Sequence, residues 1–145
     1  MDFLTQNKLK NEVYHSVENF FSLNKEDINK LINLAKKNPR NRIRYCSHFS
    51  GQDALHEMFI VHPKDAYVRP HMHLDKIESM LILAGEVDYI MFDDKGSIES
   101  VVGMGSFESK KPFYQTIRKK KFHTLIIKSD WIVFHEITNG PFDKK

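Results

Sequence analysis

The chain has 145 residues, 41% of them hydrophobic and 28% charged, which is typical of one globular domain with a single core. Its formal net charge is +3, and no apolar run approaches the roughly 20 residues of a membrane-spanning helix, so we expect no membrane partner. The single cysteine, Cys46, excludes an internal disulfide framework, and the N-terminus lacks the build of a signal peptide, so we expect a cytoplasmic location.

The first forty residues carry the helical pattern of the sequence. The apolar positions that recur at helical spacing are Ile28, Leu31, Ile32 and Ala35. Asn24 is the predicted N-cap, because it places Glu26 and Asp27 in the first turn, where carboxylates favour the helix dipole. The Asn-Pro pair at 38–39 ends the helix. Residues 1–40 are therefore predicted to be a helical cover that belongs to the same domain as the rest.

From residue 41 onward the pattern changes to short β-like runs. These runs are rich in Ile, Val, Phe, Tyr and Thr and are separated by turn residues, as at Gly96 in "FDDKGSI". Many short strands after one helix predict a mainly β fold, a sandwich or barrel over residues 41–145.

Basic residues cluster at 36–44 and 118–121. Either cluster has the charge to contact phosphate, but no nucleic-acid-binding motif surrounds them. A solvated face is the commoner meaning of such clusters, so we expect no nucleic-acid partner.

A group of histidines and one glutamate carries the strongest chemical signal. If "AYVRPHMH" (66–73) is a regular strand, His71 and His73 share a face, because alternate side chains do. Glu78 begins the next predicted strand, which Gly85 is expected to close at a tight turn, and His123 opens a later strand. Three imidazoles and a carboxylate suit one divalent ion such as Fe, Zn, Mn, Ni or Co, with positions left open for water or substrate.

The spacing H-x-H-x4-E-x6-G, formed by His71, His73, Glu78 and Gly85, resembles the first motif of the cupins. His123 stands where the second cupin motif has its histidine. Within the cupins the chain resembles the WbuC family, through segments that include "NPRNRIRYCSH" (38–48), "YVRPHMHLDKIES" (67–79) and "EITNGPF" (136–142). The resemblance implies a cupin fold, a double-stranded β-helix or jelly-roll barrel, with His71, His73, Glu78 and His123 as metal ligands.

Two positions depart from the cupin pattern. Asp65 stands where the first motif has a glycine, and "RKKKFH" (118–123) lacks the proline and glycine that precede the histidine of the second motif. Both residue types favour a tight turn, so a wider hairpin is expected before His123.

Five further residues are candidates for the pocket around the metal, and each has an alternative interpretation. In a regular strand Arg69 shares a face with His71 and His73, but it also suits the rim of the pocket. Lys76 faces either a ligand or water. Glu57 and Glu136 interrupt apolar strands, where a buried carboxylate needs a partner and an exposed one does not. Tyr114 is a possible general acid or an ordinary packing residue.

Three functions compete at this point. The WbuC resemblance implies a link to surface-polysaccharide (O-antigen) biosynthesis, and hence a metal-dependent isomerase or epimerase acting on a sugar or sugar nucleotide. The second function is that of an Fe(II)-dependent dioxygenase, because the same ligand set holds Fe(II) in cupin dioxygenases. The third is that of a non-catalytic module that binds a metal or a small ligand. Cupins often pair through sheet edges, so a homodimer is expected only on that ground.

Overall fold

The computed structural model describes residues 7–10 and 12–142. In chain order its elements are β1 (Asn7–Lys10), β2 (Val13–His15), α1 (Lys25–Ala35), β3 (Ile43–Cys46), β4 (Leu55–Pro63), β5 (Glu78–Ala84), β6 (Glu86–Phe92), β7 (Ile98–Gly105), β8 (Tyr114–Ile117), β9 (His123–Ile127) and β10 (Trp131–Asn139), with a 3-10 turn at Phe107–Ser109 between β7 and β8. This is the mainly β fold with one α-helix that the sequence predicts. Within the described ranges, no helix is long and apolar enough to cross a bilayer.

Two sheets enclose the core. The larger sheet has the order β1-β2-β3-β4-β10-β5-β8, and the smaller has the order β7-β6-β9. Only the β2–β3 pair among the described strands is parallel. One buried cluster joins the inner faces of both sheets, with Met58, Ile60 and Met80 from the larger and Tyr89 and Leu125 from the smaller. The sheets therefore face each other across a single apolar layer, as in a jelly roll.

Helix α1 covers the outer face of the larger sheet. Leu31 and Ala35 are fully buried and share a second apolar cluster with Tyr45 of β3 and Val61 of β4. The predicted N-cap is confirmed, because Asn24 Oδ1 accepts hydrogen bonds from the backbone N–H groups of residues 26 and 27 at 2.8 and 3.1 Å. The Asp27 carboxylate accepts one in return from the Asn24 N–H at 3.1 Å, which completes a capping box.

The structure differs from the predicted elements in two places. The pattern of 66–73 predicts a regular strand, but its backbone is irregular and joins the smaller sheet only through an isolated bridge at His71. Pro70 restricts its own φ to about −65°, away from the roughly −140° of a regular antiparallel strand, which disfavours a continuous strand through this segment. The first forty residues contribute β1 and β2 to the sheet in addition to the helical cover.

Gly85 forms the connection between β5 and β6 and has φ +88°. A Cβ atom at this position would lie 2.1 Å from the Trp131 carbonyl oxygen and 2.5 Å from Ser129 Oγ. Only glycine fits, because the backbone lies in the left-handed region and the neighbouring chain approaches closely. This turn ends β5, the strand that carries Glu78, as the sequence predicts.

Candidate metal centre

A backbone bridge brings the first two histidines to the third. The His71 N–H donates to the His123 carbonyl oxygen at 3.1 Å, and the His123 N–H donates to the His71 carbonyl oxygen at 3.0 Å. This reciprocal pair places residue 71 directly opposite the first residue of β9. The His71 and His123 ring centroids are 4.4 Å apart as a result. One bridge therefore substitutes for the predicted strand in positioning the histidine pair.

The side chains of His71, His73, Glu78 and His123 converge inside the barrel. One ring nitrogen from each of the three histidines lies within 4.8 Å of those of the other two. Glu78 approaches from β5, with Oε2 at 2.9 Å from His73 Nε2 and Oε1 at 3.6 Å from His123 Nε2. His123 and Glu78 are buried, whereas the two histidines of the bridging segment are partly exposed. The cluster is thus open on one side.

Backbone carbonyls orient two of the imidazoles. His71 Nδ1 lies 2.8 Å from the carbonyl oxygen of Arg69, and His123 Nδ1 lies 2.9 Å from that of Lys121. A carbonyl only accepts, so each Nδ1 carries the proton and each Nε2 presents a lone pair. This arrangement is the usual support for a histidine that ligates a metal through Nε2.

The electrostatics of the cluster favour an ionised carboxylate among imidazoles. Burial alone would raise the pKa of Glu78, but its contacts with His123 and His73 outweigh burial and lower the pKa to about 2. Burial lowers the pKa of His71, which keeps its imidazole neutral. For His123, burial opposes the charge of the imidazole, but the contact with Glu78 prevails and raises the pKa.

The residues present fit a divalent metal ion. The Nε2 atoms of His73 and His123 are buried, yet neither makes a hydrogen bond of acceptable geometry with any residue that the structure describes, although both lie near the Glu78 carboxylate. Leaving buried polar atoms unsatisfied is costly, and an ion shared by the cluster removes that cost. Neutral imidazole nitrogens and one carboxylate oxygen form a donor set for Fe, Mn, Zn, Ni or Co.

Glu136 is the second carboxylate that faces this interior. It stands directly opposite Met58 on β4 and Met80 on β5, both of which belong to the core between the sheets. Opposite residues in a ladder share a face, so Glu136 points into the barrel. Burial and the charge of Glu78 raise the pKa of Glu136 to about 7. It is thus a carboxyl that exchanges its proton near neutrality.

Three further residues belong to the same interior. His56 and Thr138 form one cross-strand row with Glu78, and the buried Nε2 of His56 and Oγ1 of Thr138 have no hydrogen-bond partner among the described residues. Tyr89 stacks on His123 with centroids 5.5 Å apart and planes 10° apart. Burial and the charge of Glu78 raise the pKa of Tyr89, so its phenol stays neutral. Strand alternation in β4, β6 and β10 is the signal that marks these positions.

The remaining predicted pocket residues lie away from the cluster or at its edge. Glu57 and Tyr114 stand on the outer faces of β4 and β8, where Glu57 Oε1 lies 3.8 Å from His135 Nε2 and Tyr114 is exposed. Arg69 has an exposed side chain and contributes only its carbonyl oxygen. Lys76 is half-buried, with Nζ 5.4 Å from the centre of the Phe142 ring. Glu57 and Tyr114 therefore point away from the barrel interior, so neither lines the pocket around the histidines.

Two facing, mainly antiparallel sheets with a histidine and carboxylate cluster between them define a cupin fold. Similar solved structures include the cupin domain of Schizosaccharomyces pombe Cnp3, with 10% identity and a TM-score of 0.53 over 68% of this chain and 64% of that one. A variant of the oxalate decarboxylase OxdC of Bacillus subtilis matches with 15% identity and a TM-score of 0.51, over 63% of this chain and 22% of that one. Likeness at this identity shows the fold alone.

The chain belongs to the family described as "Domain of unknown function (DUF6016)", whose model matches residues 23–104. That range contains His71, His73 and Glu78 and ends before His123. The chain spans less than two thirds of the length of the solved structures named above. No curated protein matches the sequence.

Proposed function

We propose that this cupin binds one divalent metal ion through His71, His73, Glu78 and His123 and uses it to hold a small polar molecule in the barrel. The observation that supports the proposal is the convergence of the three imidazoles on one ionised carboxylate, with two of the rings fixed through Nδ1. When bound, such an ion supplies Lewis-acid polarisation of a carbonyl oxygen. Oxalate decarboxylase of Bacillus subtilis, a protein of similar fold, has Mn(II) centres.

The reaction that these surroundings favour is proton transfer. Glu136 is the carboxyl that we propose to accept and donate this proton, because it faces the barrel interior beside the cluster, and in the metal-free protein burial and the charge of Glu78 raise its pKa to about 7. The unpartnered polar atoms of His56 and Thr138 lie on the same wall of the barrel and suit the hydroxyl groups of a sugar. Removal of a proton next to a polarised carbonyl, followed by its return, isomerises or epimerises such a molecule.

The substrate class of this proposal comes from the WbuC resemblance. That resemblance motivates a sugar or sugar nucleotide and a link to surface-polysaccharide biosynthesis. The matching family carries no assigned function, and it neither supports nor opposes this part of the proposal.

Metal analysis tests the proposal directly. Protein purified without chelator is analysed for bound metal as wild type, His71→Ala and Glu78→Ala, with His135→Gln as the matched control on the outer face of β10. We expect each site variant to carry one equivalent less than wild type and the control to carry the wild-type amount. Equal metal in all four proteins contradicts the proposal.

Turnover separates the competing chemistries. Metal-loaded protein is incubated with nucleotide sugars without oxygen, and the products are examined for altered configuration. Epimerised or isomerised sugar supports proton transfer. Oxygen consumption with Fe(II) and no anaerobic turnover supports the dioxygenase alternative.

A further inference from the structure

A second group of metal-ligating side chains lies in the part of the larger sheet where β2 pairs with β3, away from β5. It consists of His15 at the end of β2, Cys46 at the end of β3, and His48 just beyond β3. The parallel register of β2 and β3 sets His15 beside Cys46. Both are buried, with 5% and 1% of their surface exposed. The group is therefore built by the fold and is not a chance surface cluster.

The three side chains present their ligand atoms to one another. One ring nitrogen of His15, one of His48 and the Cys46 Sγ all lie within 4.8 Å of one another. The two imidazoles meet edge to face, with centroids 5.0 Å apart and planes 89° apart. Such a mutual arrangement of two nitrogens and one sulfur resembles a set of ligands around a common point.

Among the residues that the structure describes, hydrogen bonds involve the Nδ1 atom of each imidazole. His15 Nδ1 lies 3.0 Å from the His48 carbonyl oxygen, and His48 Nδ1 lies 3.2 Å from the Glu57 carbonyl oxygen and 3.1 Å from the Glu57 nitrogen. His15 Nδ1 donates to the His48 carbonyl oxygen, so the Nε2 of His15 keeps a lone pair. The His15 ring thus has the same carbonyl support that orients His71 and His123 in the barrel. The Glu57 N–H donates to His48 Nδ1, so the proton of the neutral His48 ring lies on Nε2. To bind an ion through Nε2, His48 moves this proton to Nδ1, where the Glu57 carbonyl oxygen at 3.2 Å accepts it.

Two neighbouring residues, His56 and Met58, support the use of this group as a metal site. The His56 ring stacks on His48 with centroids 4.2 Å apart and planes 5° apart, which fixes the His48 plane. Met58 stands directly opposite Cys46 across the β3–β4 ladder, so its thioether shares the buried face with the thiol. The surroundings are thus rigid and contribute a further soft sulfur atom.

We propose that His15, Cys46 and His48 form a second metal site, for a thiophilic ion of the Zn²⁺ or Cu⁺ type. A thiolate and two imidazoles select such ions over the hard cations that carboxylates and water hold. The proposed site is separate from the barrel cluster, because β3 and β5 are three strand spacings apart, roughly 14 Å. It does not depend on the function proposed for the barrel.

The sulfur gives this proposal its own signature. Cys46 is the one cysteine of the sequence, and the barrel cluster contains only nitrogen and oxygen ligands. A thiolate-to-metal charge-transfer band in the near ultraviolet therefore reports on the second site alone. Co²⁺ is a suitable probe, because it occupies zinc sites and absorbs where Zn²⁺ does not.

The experiment is a titration of the reduced, metal-free full chain with Co²⁺, followed by competition with Zn²⁺. We expect wild type to bind two equivalents, to develop the charge-transfer band, and to lose it when Zn²⁺ is added. His48→Gln and Cys46→Ala are expected to abolish the band and one equivalent, with the fold checked by circular dichroism. His71→Ala is expected to lose one equivalent and keep the band.

Two results overturn the proposal. The first is binding of one equivalent by wild type, with no sulfur band and with loss of that equivalent in His71→Ala. The second is a band that survives unchanged in both His48→Gln and His15→Asn, since the cysteine then binds the ion without the histidines. If Cys46→Ala fails to fold, the two histidine variants decide the matter.

Discussion

Glu78 and Glu136 enter the barrel from neighbouring strands, offset by two residues across the β5–β10 ladder. Thr138 is the direct partner of Glu78, and Glu136 lies two positions before it on the same face. Such diagonal positions are roughly 7–8 Å apart at the backbone. The imidazoles stabilise the charge of Glu78, and that charge in turn disfavours a second one on Glu136. Glu78 is thus the ionised carboxylate of the pair, and Glu136 is the carboxyl that holds a proton more tightly.

The first prediction separates metal binding from proton transfer. Glu136→Gln preserves the shape of the side chain but cannot exchange a proton, so we expect full metal content and at least a roughly hundredfold loss of turnover. The measurements are elemental analysis and deuterium incorporation from D2O into a nucleotide sugar under anaerobic conditions. Loss of metal in Glu136→Gln would instead make Glu136 a ligand.

The raised pKa of Glu136 also predicts a pH dependence of stability in the metal-free protein. The ordinary pKa of this carboxyl is 4.5 and its pKa in the folded protein is about 7, so the folded state holds the proton more tightly. Its contribution is complete below pH 4.5 and is lost as the pH rises through 7. Urea unfolding across this range of pH should show the decline in wild type and not in Glu136→Gln.

The lowered pKa of His62 predicts the opposite effect, a loss of stability as the pH falls. Burial, together with Arg42 and Arg44, lowers the pKa of His62 from 6.5 to about 4. A lowered histidine pKa stabilises the fold above pH 6.5, and this stabilisation is lost as the pH falls through 4. His62→Phe cannot be protonated, so its free energy of unfolding should fall less than that of wild type between neutral pH and pH 4. A parallel decline in both proteins would contradict the assignment.

Two glycines with nearly the same backbone angle form a matched pair. Gly85 and Gly96 have φ +88° and +83°, but a Cβ atom at Gly96 meets nothing within 4 Å. Gly96→Ala should cost about 1–2 kcal/mol of unfolding free energy, which is the cost of the left-handed backbone alone. Gly85→Ala adds the contact with Trp131 O and should cost roughly 2–5 kcal/mol. Equal costs would mean that the turn relaxes away from β10.

The helix cap offers a local test. Asn24→Ala removes the acceptor for two N–H groups of the first turn and should cost about 1 kcal/mol. Asn29→Ala, at an exposed position within α1, is the control and should be neutral or slightly stabilising, because alanine has the higher helix propensity. Thermal unfolding of the two variants beside wild type makes the comparison.

Local sequence signals predict the parts of the fold and site that depend on short-range chemistry. The Asn24 cap and the Gly85 turn follow from the conformations that these residues favour, and the start of β9 at His123 follows from the β pattern. The prediction of a strand over 66–73 was wrong, because alternation of residue types does not reveal that the segment pairs with β9 only at His71. The single backbone bridge between His71 and His123 positions the histidine pair instead.

The faces of the central strands are harder to predict. Glu57 and Glu136 both interrupt apolar strands, yet one faces His135 outside and the other faces the barrel. Helix α1 covers the outer face of the larger sheet, so both faces of β4 and β10 carry apolar residues. The alternation of residue types therefore does not show which face of these strands points into the barrel. The His15–Cys46–His48 group has no local signal, because the partners of His15 lie far along the chain and are brought close only by a parallel strand pair.

The parallel pairing of β2 with β3 has a consequence for the order of folding. Two adjacent parallel strands cannot be joined by a hairpin, so the chain passes from one to the other through α1. Strand β2 has three paired residues, and because its pairing with β3 closes a loop that contains α1, we expect this pairing to form after the helix has packed on the sheet. We therefore expect this strand to open first, and amide hydrogens of residues 13–15 to exchange faster than those of β4 and β10.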